Sequence, residues 1–496
     1  MEKNGKQVII IGAGIAGLAT AVRLALQGWQ VRVYEQNAYP GGKLSQLKLG
    51  AYTFDAGPSL FTLPNLVTDL LAMAGESAAD VFPYDEVEEA FYYHFADGSS
   101  FYTHKDRRCM EERLATLFKP SEVKAFFQHL DRAKERYELT APLFLEKSLH
   151  ESATYFSKDV LRALGALPKL GLFAKMHEEN AQRFSDERLR QYFDRFATYN
   201  GSNPYDAPAL LNLIPHLEHG YGTFFPKKGM YQITETIYAL AKKLGVTFHF
   251  NSDVKQIILE DSRAVGIALK NGEKQSADLI VCNADIRAAH KHLLPGVPAP
   301  KAFQRLESSS SAMIFYWGIQ GTFPALRLHN LFFTKDYQEE FRAIFKEGGV
   351  SADPTIYLNI SSKCAKDDAP SDGENWFVMV NVAADKGQNW DELRQKIRAS
   401  ILHKLSRILG CNLADYIVEE DYLDPPRIEN RTASIGGGLY GHASNERMAA
   451  FWRQSNKSKQ IDKLYFCGGS VHPGGGIPLC LNSAKITSEL IAKYEA

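Results

Sequence analysis

Three glycines near the start of the chain have the spacing of a dinucleotide-binding loop. Gly12, Gly14 and Gly17 form a G-x-G-x-x-G pattern. In such a loop the first glycine allows a tight turn, the second lets the backbone approach a pyrophosphate, and the third lets a helix pack closely on a strand. Glu35 lies near the spacing of about 20 residues at which a carboxylate meets a ribose hydroxyl. An acid there disfavours a 2′-phosphate, so the pattern predicts an ADP moiety, as in FAD or NAD.

The segments around these residues are those that would position such a loop. Residues 8–11 are β-branched, which predicts a buried strand of a parallel sheet. Apolar residues then repeat at helical spacing over 18–25, and a second strand over 31–34 ends directly before Glu35. The free N–H groups at the start of the helix would face the phosphates.

Two further loops rich in glycine and proline follow, over 40–43 and 54–59. Glycine and proline also punctuate ordinary turns, which is the alternative interpretation. The spacing from Glu35 favours a second pair of loops that face the phosphates and a flavin. Lys43 would suit an anionic pyrophosphate or the rim of the flavin.

A glycine-rich segment near the end of the chain is a further candidate anion site. Residues 464–467 predict a buried strand, and the segment 468–478 with its glycine triplet precedes a closing helix. His472 lies between glycine turns beside a proline, which favours a positioning role over that of a catalytic base. Cys467 and Cys480 are interpreted as core or helix residues.

The composition excludes several classes of function. The chain has 496 residues, enough for two or three domains, and 57 basic against 58 acidic residues leave a net charge of −1. No global field would therefore recruit nucleic acid. The six cysteines are scattered and no metal-ligand spacing is present, so we expect reduced thiols and no metal. With neither a signal peptide nor a spanning segment expected, the protein would be soluble or lie on a membrane surface.

The middle of the chain predicts a second kind of structure. We expect a hairpin over 91–102 and helices over 110–139, 186–199 and 390–409. A helix over 233–244 would lead to a strand over 246–250, then to a small β-meander over 254–285. Further strands are expected over 312–318 and 375–382. Residues 161–176 are apolar with interleaved basic residues, which fits either a kinked core helix or a segment lying on a membrane surface.

These pieces together resemble the flavoproteins with two dinucleotide-binding domains that include the amine oxidases, and specifically the carotenoid desaturases of bacteria and fungi. The matching segments occur in family order through the whole chain: 8–36, 40–43, 54–60, 222–230, the strand at Val254, 282–285 and 468–485. Residues 195–205 and the turn 468–473 resemble the hydroxycarotenoid 3,4-desaturase branch more than phytoene desaturases.

The resemblance implies an α/β fold in which a Rossmann-like FAD-binding domain carries an inserted α+β substrate domain. It places the FAD-binding domain at 1–85, 222–300 and 420–496. The substrate-binding, membrane-associated domain would comprise 86–221 and 301–419. It implies FAD contacts by the following residues: Gly12, Gly14, Ala16, Gly17, Glu35, Gln36, Gly41, Gly42, Lys43, Gly57, Pro58, Ser59, Val254, Asn283, Ala284, Gly468, Gly469, Gly476, Ile477 and Pro478.

The function that the resemblance implies is 3,4-desaturation of an acyclic 1-hydroxycarotenoid, with hydride transfer to flavin N5. The polar loop residues Asn200, Ser202, Asn203 and Tyr205 are candidates for binding the hydroxylated end, although turn chemistry alone would also explain them. No residue is assigned as catalytic. The expected partners are a lipophilic carotenoid, a membrane surface and an electron acceptor, either a quinone or oxygen. The expected location is the cytoplasmic side of the bacterial inner membrane.

Three other functions stay open on the sequence. A phytoene desaturase would belong to the same family. A flavin amine oxidase would act on a polar substrate, and a prenyl-protein binding module would share the fold without chemistry. The glycines of the first loop, Glu35 and the complete C-terminal segment argue against the binding module.

Overall fold

The computed structural model describes residues 5–155, 170–300, 307–445 and 453–495. Its strands, in chain order, are β1 (Gln7–Ile11), β2 (Gln30–Tyr34), β3 (Gln46–Leu49), β4 (Tyr52–Asp55), β5 (Tyr84–Glu86), β6 (Phe91–His94), β7 (Ser100–Tyr102), β8 (Phe224–Pro226), β9 (Thr247–His249), β10 (Val254–Glu260), β11 (Arg263–Leu269), β12 (Lys274–Ser276), β13 (Leu279–Cys282), β14 (Ser311–Gln320), β15 (His329–Phe332), β16 (Ile356–Asn359), β17 (Gly373–Val382), β18 (Ile417–Leu423) and β19 (Leu464–Phe466).

The α-helices are α1 (Ile15–Leu26), α2 (Asn65–Met73), α3 (Ala78–Val81), α4 (Arg107–Ala115), α5 (Pro120–Phe144), α6 (Ser152–Tyr155), α7 (Met176–Arg183), α8 (Glu187–Asp194), α9 (Pro215–His219), α10 (Tyr231–Lys243), α11 (Ile286–Ala288), α12 (Tyr337–Phe345), α13 (Trp390–Leu409), α14 (Pro425–Thr432) and α15 (Ile477–Tyr494). Within the described ranges, no helix combines the length and the apolar character that crossing a membrane would require.

A parallel sheet of five strands, in the order β19-β13-β1-β2-β9, contains the first predicted strand. Ile11 is in register with Tyr34 on one side and with Cys282 on the other, and Cys282 pairs with Phe466. The four strands therefore end side by side, and the loops that follow them all start from one edge of the sheet. In parallel α/β sheets this carboxyl edge is where ligands bind.

Both faces of this sheet are covered, as the continuous apolar sequence of β1 predicts. Val8 and Ile10 pack with α1, α10 and α15 in one core. Ile9 and Ile11 pack on the other face in a core shared with β10 and β11. The strands β10, β11 and β12 form an antiparallel meander. The prediction that β13 belongs to this meander was wrong, because β13 joins the parallel sheet between β19 and β1.

A second large sheet has seven strands in the order β18-β14-β17-β16-β15-β6-β7. It joins the predicted hairpin over 91–102 to the strands of 311–423. The boundary expected between 419 and 420 falls inside β18, which pairs with β14 in this sheet. Two predicted helices are shorter than expected. The helix over 110–139 is divided into α4 and α5 where Pro120 starts a new helix, and α8 ends at Asp194 and continues as a 3₁₀ turn.

One face of the seven-stranded sheet presents a straight row of side chains. Leu423 pairs with Ile314, Ile314 with Met379, Met379 with Tyr357, and Tyr357 with Leu331. Directly opposed residues on neighbouring strands point to the same face. With neighbouring strands about 4.8 Å apart, the row runs across five strands for about 19 Å. The sheet thus supplies a long and mostly apolar floor.

Asp55 connects the loop 54–59 to the segment that begins α10. Its two carboxylate oxygens accept hydrogen bonds from the backbone N–H groups of Met230 (2.8 Å) and Tyr231 (2.9 Å). These N–H groups lie at the start of a helix and have no intrahelical partner. A side chain 175 residues earlier in the sequence therefore caps α10.

We predict that Asp55→Ala lowers the stability of the protein by about 2 kcal/mol or more, because two N–H groups in a buried place lose their acceptor. Asp55→Asn retains one acceptor oxygen and should lose less. The shift of the thermal unfolding midpoint measures both effects. Asp85→Ala, at an exposed aspartate, is the control. Equal midpoints for Asp55→Ala and wild type would contradict the capping role.

Candidate active site

A single continuous cavity of about 1000 Å³ joins the edge of the parallel sheet to the floor of the seven-stranded sheet. At one end it is lined by the loops after β1, β2, β13 and β19. At the other end lie the row from Leu423 to Leu331 and the residues Phe91, Arg195 and Tyr199. The volume lies at the upper end of the range of about 300–1,000 Å³ that is usual for ligand sites.

Most residues predicted to bind FAD line this cavity. They are Gly12, Gly14, Ala16, Glu35, Gln36, Gly41, Gly42, Lys43, Gly57, Pro58, Ser59, Val254, Asn283, Ala284, Gly468, Gly469, Gly476, Ile477 and Pro478. Gly17 does not line it. A Cβ atom added at Gly17 would lie 2.3 Å from the carbonyl oxygen of Gly12. Gly17 thus serves the packing of α1 on the loop after β1, which is the role of the third glycine in this pattern.

The two glycine loops are packed against each other. The N–H of Gly41 donates to the carbonyl of Ala13 at 2.8 Å, and a Cβ atom added at Gly42 would lie 3.3 Å from the Cα of Gly14. An added Cβ at Gly14 would lie 2.7 Å from Oδ1 of Asn283. Side chains are excluded from both loops by this packing, which leaves backbone at the cavity wall where a pyrophosphate would approach.

Glu35 is buried at the end of β2. Its Oε2 accepts a hydrogen bond from the N–H of Ala13 at 2.7 Å, and its Oε1 accepts bonds from the backbone and side-chain nitrogens of Asn37 at 2.9 and 2.7 Å. These bonds fix the carboxylate beside the first glycine loop. Each oxygen keeps further acceptor capacity, so the group can also accept a bond from a ribose hydroxyl.

Two cations line the cavity. The ammonium of Lys43 donates to the carbonyls of Gly438 (3.0 Å) and Leu439 (2.7 Å), and burial lowers the pKa of Lys43 to about 8. The guanidinium of Arg453 donates to the carbonyls of Tyr440 (3.0 Å) and Gly469 (2.9 Å), and burial lowers the pKa of Arg453 to about 10. Within the described residues neither cation forms a salt bridge, although the charge of Asp285 raises the pKa of both.

The donor set of this end of the cavity fits FAD. The glycine loops would leave room for the pyrophosphate, Glu35 could accept a hydrogen bond from the ribose, and Lys43 and Arg453 would favour an anionic ligand. Arg453 was missed in the sequence because no motif surrounds it, and the fold alone brings it to the cavity. The residues that would hold the group are thus drawn from loops that are far apart in the chain.

The stretch 195–205, which resembles the 3,4-desaturase branch, is divided by the structure. The 3₁₀ turn Arg195–Asn200 faces the cavity through Arg195, Thr198, Tyr199 and Asn200. The chain then turns at Gly201, which has a φ of +60°. Arg195 is buried, pairs with Glu218 at 2.9 Å and donates to the hydroxyls of Tyr93 and Tyr199.

Three of the four predicted substrate residues do not line the cavity, which corrects that prediction. The hydroxyl of Ser202 accepts from the N–H of Ser444 at 2.9 Å. Oδ1 of Asn203 accepts a hydrogen bond from the N–H of Tyr205 and so closes a turn. The ring of Tyr205 packs on the ring of His177, with 4.4 Å between the ring centroids. These polar groups serve local structure, the alternative that the sequence left open. Asn200 does line the cavity and donates to the hydroxyl of Ser444 at 2.6 Å.

His472 lies outside the cavity wall. Its Nε2 lies 2.8 Å from the carbonyl of Lys147, which requires the ring to donate there, and burial lowers the pKa of His472 to about 4. The neutral ring connects the C-terminal glycine segment to residues 145–150. Through this contact His472 positions the segment, and it does not act as a base. Cys480 lies in the first turn of α15 and lines the cavity, whereas Cys467 is buried behind it.

Comparison with known proteins places the chain in a family. The sequence model of the flavin containing amine oxidoreductases matches residues 15–492. The chain belongs to this family. It is a flavin-dependent oxidoreductase with FAD as its cofactor, which confirms the fold class, the family resemblance and the cofactor that the resemblance implied.

Individual relatives are similar over their full length. The chain is 46% identical over 491 residues to a 1-hydroxycarotenoid 3,4-desaturase of Flavobacterium sp. (strain P99-3), covering 99% of this chain and 100% of the relative. It is 29% identical to a zeta-carotene-forming phytoene desaturase of Myxococcus xanthus, covering 99% and 95%. Among solved structures, putrescine oxidase bound to putrescine has a TM-score of 0.66 at 16% identity, covering 98% of this chain and 99% of the oxidase, which supports the fold alone.

We predict that Glu35→Ala weakens FAD binding by about 10- to 150-fold. The variant loses a charge-assisted hydrogen bond to the ribose, which contributes about 1.5–3 kcal/mol, and it frees the N–H of Ala13. The ratio of flavin to protein absorbance after purification, and FAD titration of the apoprotein, measure the loss. Glu260→Ala, at an exposed residue of β10, is the control. Full retention of FAD by Glu35→Ala would show that the ribose lies elsewhere.

Proposed function

We propose that the chain is a carotenoid desaturase that introduces the 3,4 double bond into an acyclic 1-hydroxycarotenoid. The observation that carries this proposal is the 46% identity, over the whole of both chains, to a protein named as a 1-hydroxycarotenoid 3,4-desaturase. The shape and lining of the cavity also support it. The floor of about 19 Å suits a long, rod-like polyene better than a compact polar substrate.

The reaction converts a CH2–CH2 unit into a CH=CH unit, so one hydride equivalent and one proton leave the substrate. The chemistry that FAD supplies when bound is acceptance of the hydride equivalent at N5, with delivery of the two electrons to a quinone or to oxygen. The positive charge left on carbon is allylic to the polyene and spreads over it. A weak proton acceptor is then sufficient, which agrees with a floor that is apolar except for Tyr357 and contains no acid–base pair among its five residues.

The protein's own contribution is to position the polyene in an apolar cavity that excludes water. The row of apolar side chains on the seven-stranded sheet holds the polyene along one line, and Phe91 and the leucines of 210–217 enclose it. Excluding water in this way protects a carbocation from capture and fixes which carbons lie against the cofactor.

The proposal predicts a substrate preference that purified protein can show. In liposomes that carry one carotenoid each, turnover should be fastest on a 1-hydroxylated acyclic carotenoid, slower on its non-hydroxylated parent and slowest on phytoene. Amines are tested as a further class of compound, because the family includes amine oxidases. Faster turnover of phytoene would assign the chain to the phytoene desaturases, and turnover of amines alone would assign it to the amine oxidases.

We further propose that the protein binds a membrane surface, on the cytoplasmic side of the bacterial inner membrane, because its substrate is insoluble in water. Most of the segment predicted for this contact, residues 161–169, lies outside the described residues. Of the remainder, Leu170 is buried, with 1% of its surface exposed. Phe173 is 77% exposed and precedes the exposed Lys175. Phe173, rather than the buried Leu170, is therefore the side chain through which this contact is best tested.

We predict that Phe173→Asp reduces the fraction of protein that floats with anionic liposomes by about tenfold or more. Burial of a phenylalanine side chain contributes about 1.5–3 kcal/mol, and an aspartate adds repulsion from anionic lipid. Val418→Asp, at a half-exposed valine on the edge strand β18, is the matched control. Equal flotation of the two variants would place the membrane contact elsewhere.

A further inference from the structure

A chain of three hydrogen-bonded side chains runs from the cavity wall into the protein. Oγ of Ser59 lies 2.7 Å from Oη of Tyr357, and Oη of Tyr357 lies 2.7 Å from Nδ1 of His329. Ser59 and Tyr357 line the cavity, whereas His329 is fully buried behind them. The chain thus presents its Ser59 end to a bound substrate.

The partners of His329 fix the direction of these hydrogen bonds. The amide nitrogen of Asn359 donates to the carbonyl of Leu328 at 3.0 Å, which settles the orientation of that amide. The same nitrogen lies 3.2 Å from Nδ1 of His329, so Nδ1 must be an acceptor. Burial, together with the charge of Arg195, lowers the pKa of His329 to about 3, and the ring is therefore neutral.

Because Nδ1 accepts, the single proton of the Tyr357 hydroxyl points to His329. Tyr357 then has no proton for Ser59, and the hydroxyl of Ser59 must donate to Tyr357. The Ser59 oxygen consequently faces the cavity with its lone pairs. It can accept a hydrogen bond from a ligand, but it has no proton left to donate to one.

Ser59 also lies between the glycine loops and the substrate floor. It is two residues after Gly57, where an added Cβ atom would lie 1.8 Å from the carbonyl oxygen of Lys43. Tyr357 is part of the row that forms the floor. In a 1-hydroxycarotenoid the hydroxyl is only a few bonds from the carbons that are desaturated. A group that binds this hydroxyl must therefore lie near the carbons that react, and Ser59 joins the loop that packs on Lys43 to the floor that would hold the polyene.

We propose that Ser59 accepts a hydrogen bond from the terminal hydroxyl of the substrate, and that Tyr357 and His329 orient Ser59 for this role. The inference rests on the proposed function and adds the group that determines specificity. It moves Ser59 from the predicted cofactor contacts to the substrate side of the site. A hydroxylated end satisfies the buried acceptor. A hydrocarbon end leaves it unpaired, and a methoxy end presents lone pairs to lone pairs.

The first test compares three substrates with wild type and with Ser59→Ala. They are a 1-hydroxylated acyclic carotenoid, its 1-methoxy analogue and the non-hydroxylated parent. For wild type we expect the highest kcat/KM on the hydroxylated substrate. In Ser59→Ala the ratio of kcat/KM for the hydroxylated substrate to that for the parent should fall roughly tenfold, as for the loss of one hydrogen bond. An unchanged ratio would overturn the role of Ser59.

The second test uses Tyr357→Phe, which removes the acceptor of the Ser59 proton. Ser59 can then turn its proton towards the cavity and donate to an ether oxygen. We expect the ratio of kcat/KM for the hydroxylated substrate to that for the methoxy analogue to fall several-fold, through faster turnover of the methoxy analogue. Tyr92→Phe is the matched control, because Tyr92 lies on the opposite face of the same sheet. Slower turnover of the methoxy analogue by Tyr357→Phe would contradict the deduced direction.

The outcomes separate this inference from the proposed function. Wild type that prefers phytoene or the parent carotenoid would overturn the proposed function itself. The other outcome concerns Ser59 alone. If wild type prefers the hydroxylated substrate and both variants keep that preference, only the assignment of Ser59 is overturned. Flavin absorbance of each purified variant reports FAD retention. If Ser59→Ala retains less FAD, the ratio measured with Tyr357→Phe decides the outcome.

Discussion

The common register of β1, β2, β13 and β19 is the constraint on which the site depends. Parallel strands that end side by side direct their following loops to one edge, so residues from the two ends of the sequence meet there. The carboxylate of Glu35 then connects two of these loops by accepting from Ala13. A shift of one strand by one residue would turn its buried side chains to the other face and separate the loops.

The seven-stranded sheet positions the substrate rather than the cofactor. A polyene offers almost nothing to hydrogen-bond, so its position must come from shape. Opposed side chains across five strands produce a straight floor without any special sequence motif, since each strand contributes one residue to the row. Polar groups beside this floor are few: Arg195 pairs with Glu218, and Ser59 bonds to Tyr357, the one polar residue of the row. The parallel sheet thus positions the loops for the cofactor, and the seven-stranded sheet forms the floor for the substrate.

The sequence predicted those features whose cause is local. The spacing of Gly12, Gly14 and Gly17, the strand before them and the acid after the second strand all lie within one βαβ unit, and the structure places them as expected. The helix over 390–409 was also predicted within its observed bounds, because its apolar pattern and its Asn389 cap are continuous in sequence. The family resemblance extended this to the C-terminal loop.

Features that depend on distant parts of the chain were not predictable in the same way. β13 was assigned to the meander because its neighbours in sequence are strands, yet its partners lie more than 180 residues away at β19 and more than 260 away at β1. Ser202 and Asn203 look like ligands in a polar loop, but the turn at Gly201 directs them away from the cavity. Arg453 and the Asp55 cap carry no local signal at all, since their partners come from other segments.

The electrostatics of the cavity explain how one chain can hold an anionic cofactor and an apolar substrate together. Lys43 and Arg453 both donate to backbone carbonyls on the same side of the cavity, between the glycine loops and the segment 438–440. Carbonyl groups hold each cation in place, and neither cation forms a salt bridge within the described residues, so both can interact with an anion. The carboxylate of Asp285 acts on both cations without forming a salt bridge to either, and it raises the pKa of each against the larger lowering by burial. Across the cavity the side chains of the floor carry no charge. The boundary between cofactor and substrate is therefore set by the type of partner that each buried polar group has, and Ser59 lies on that boundary.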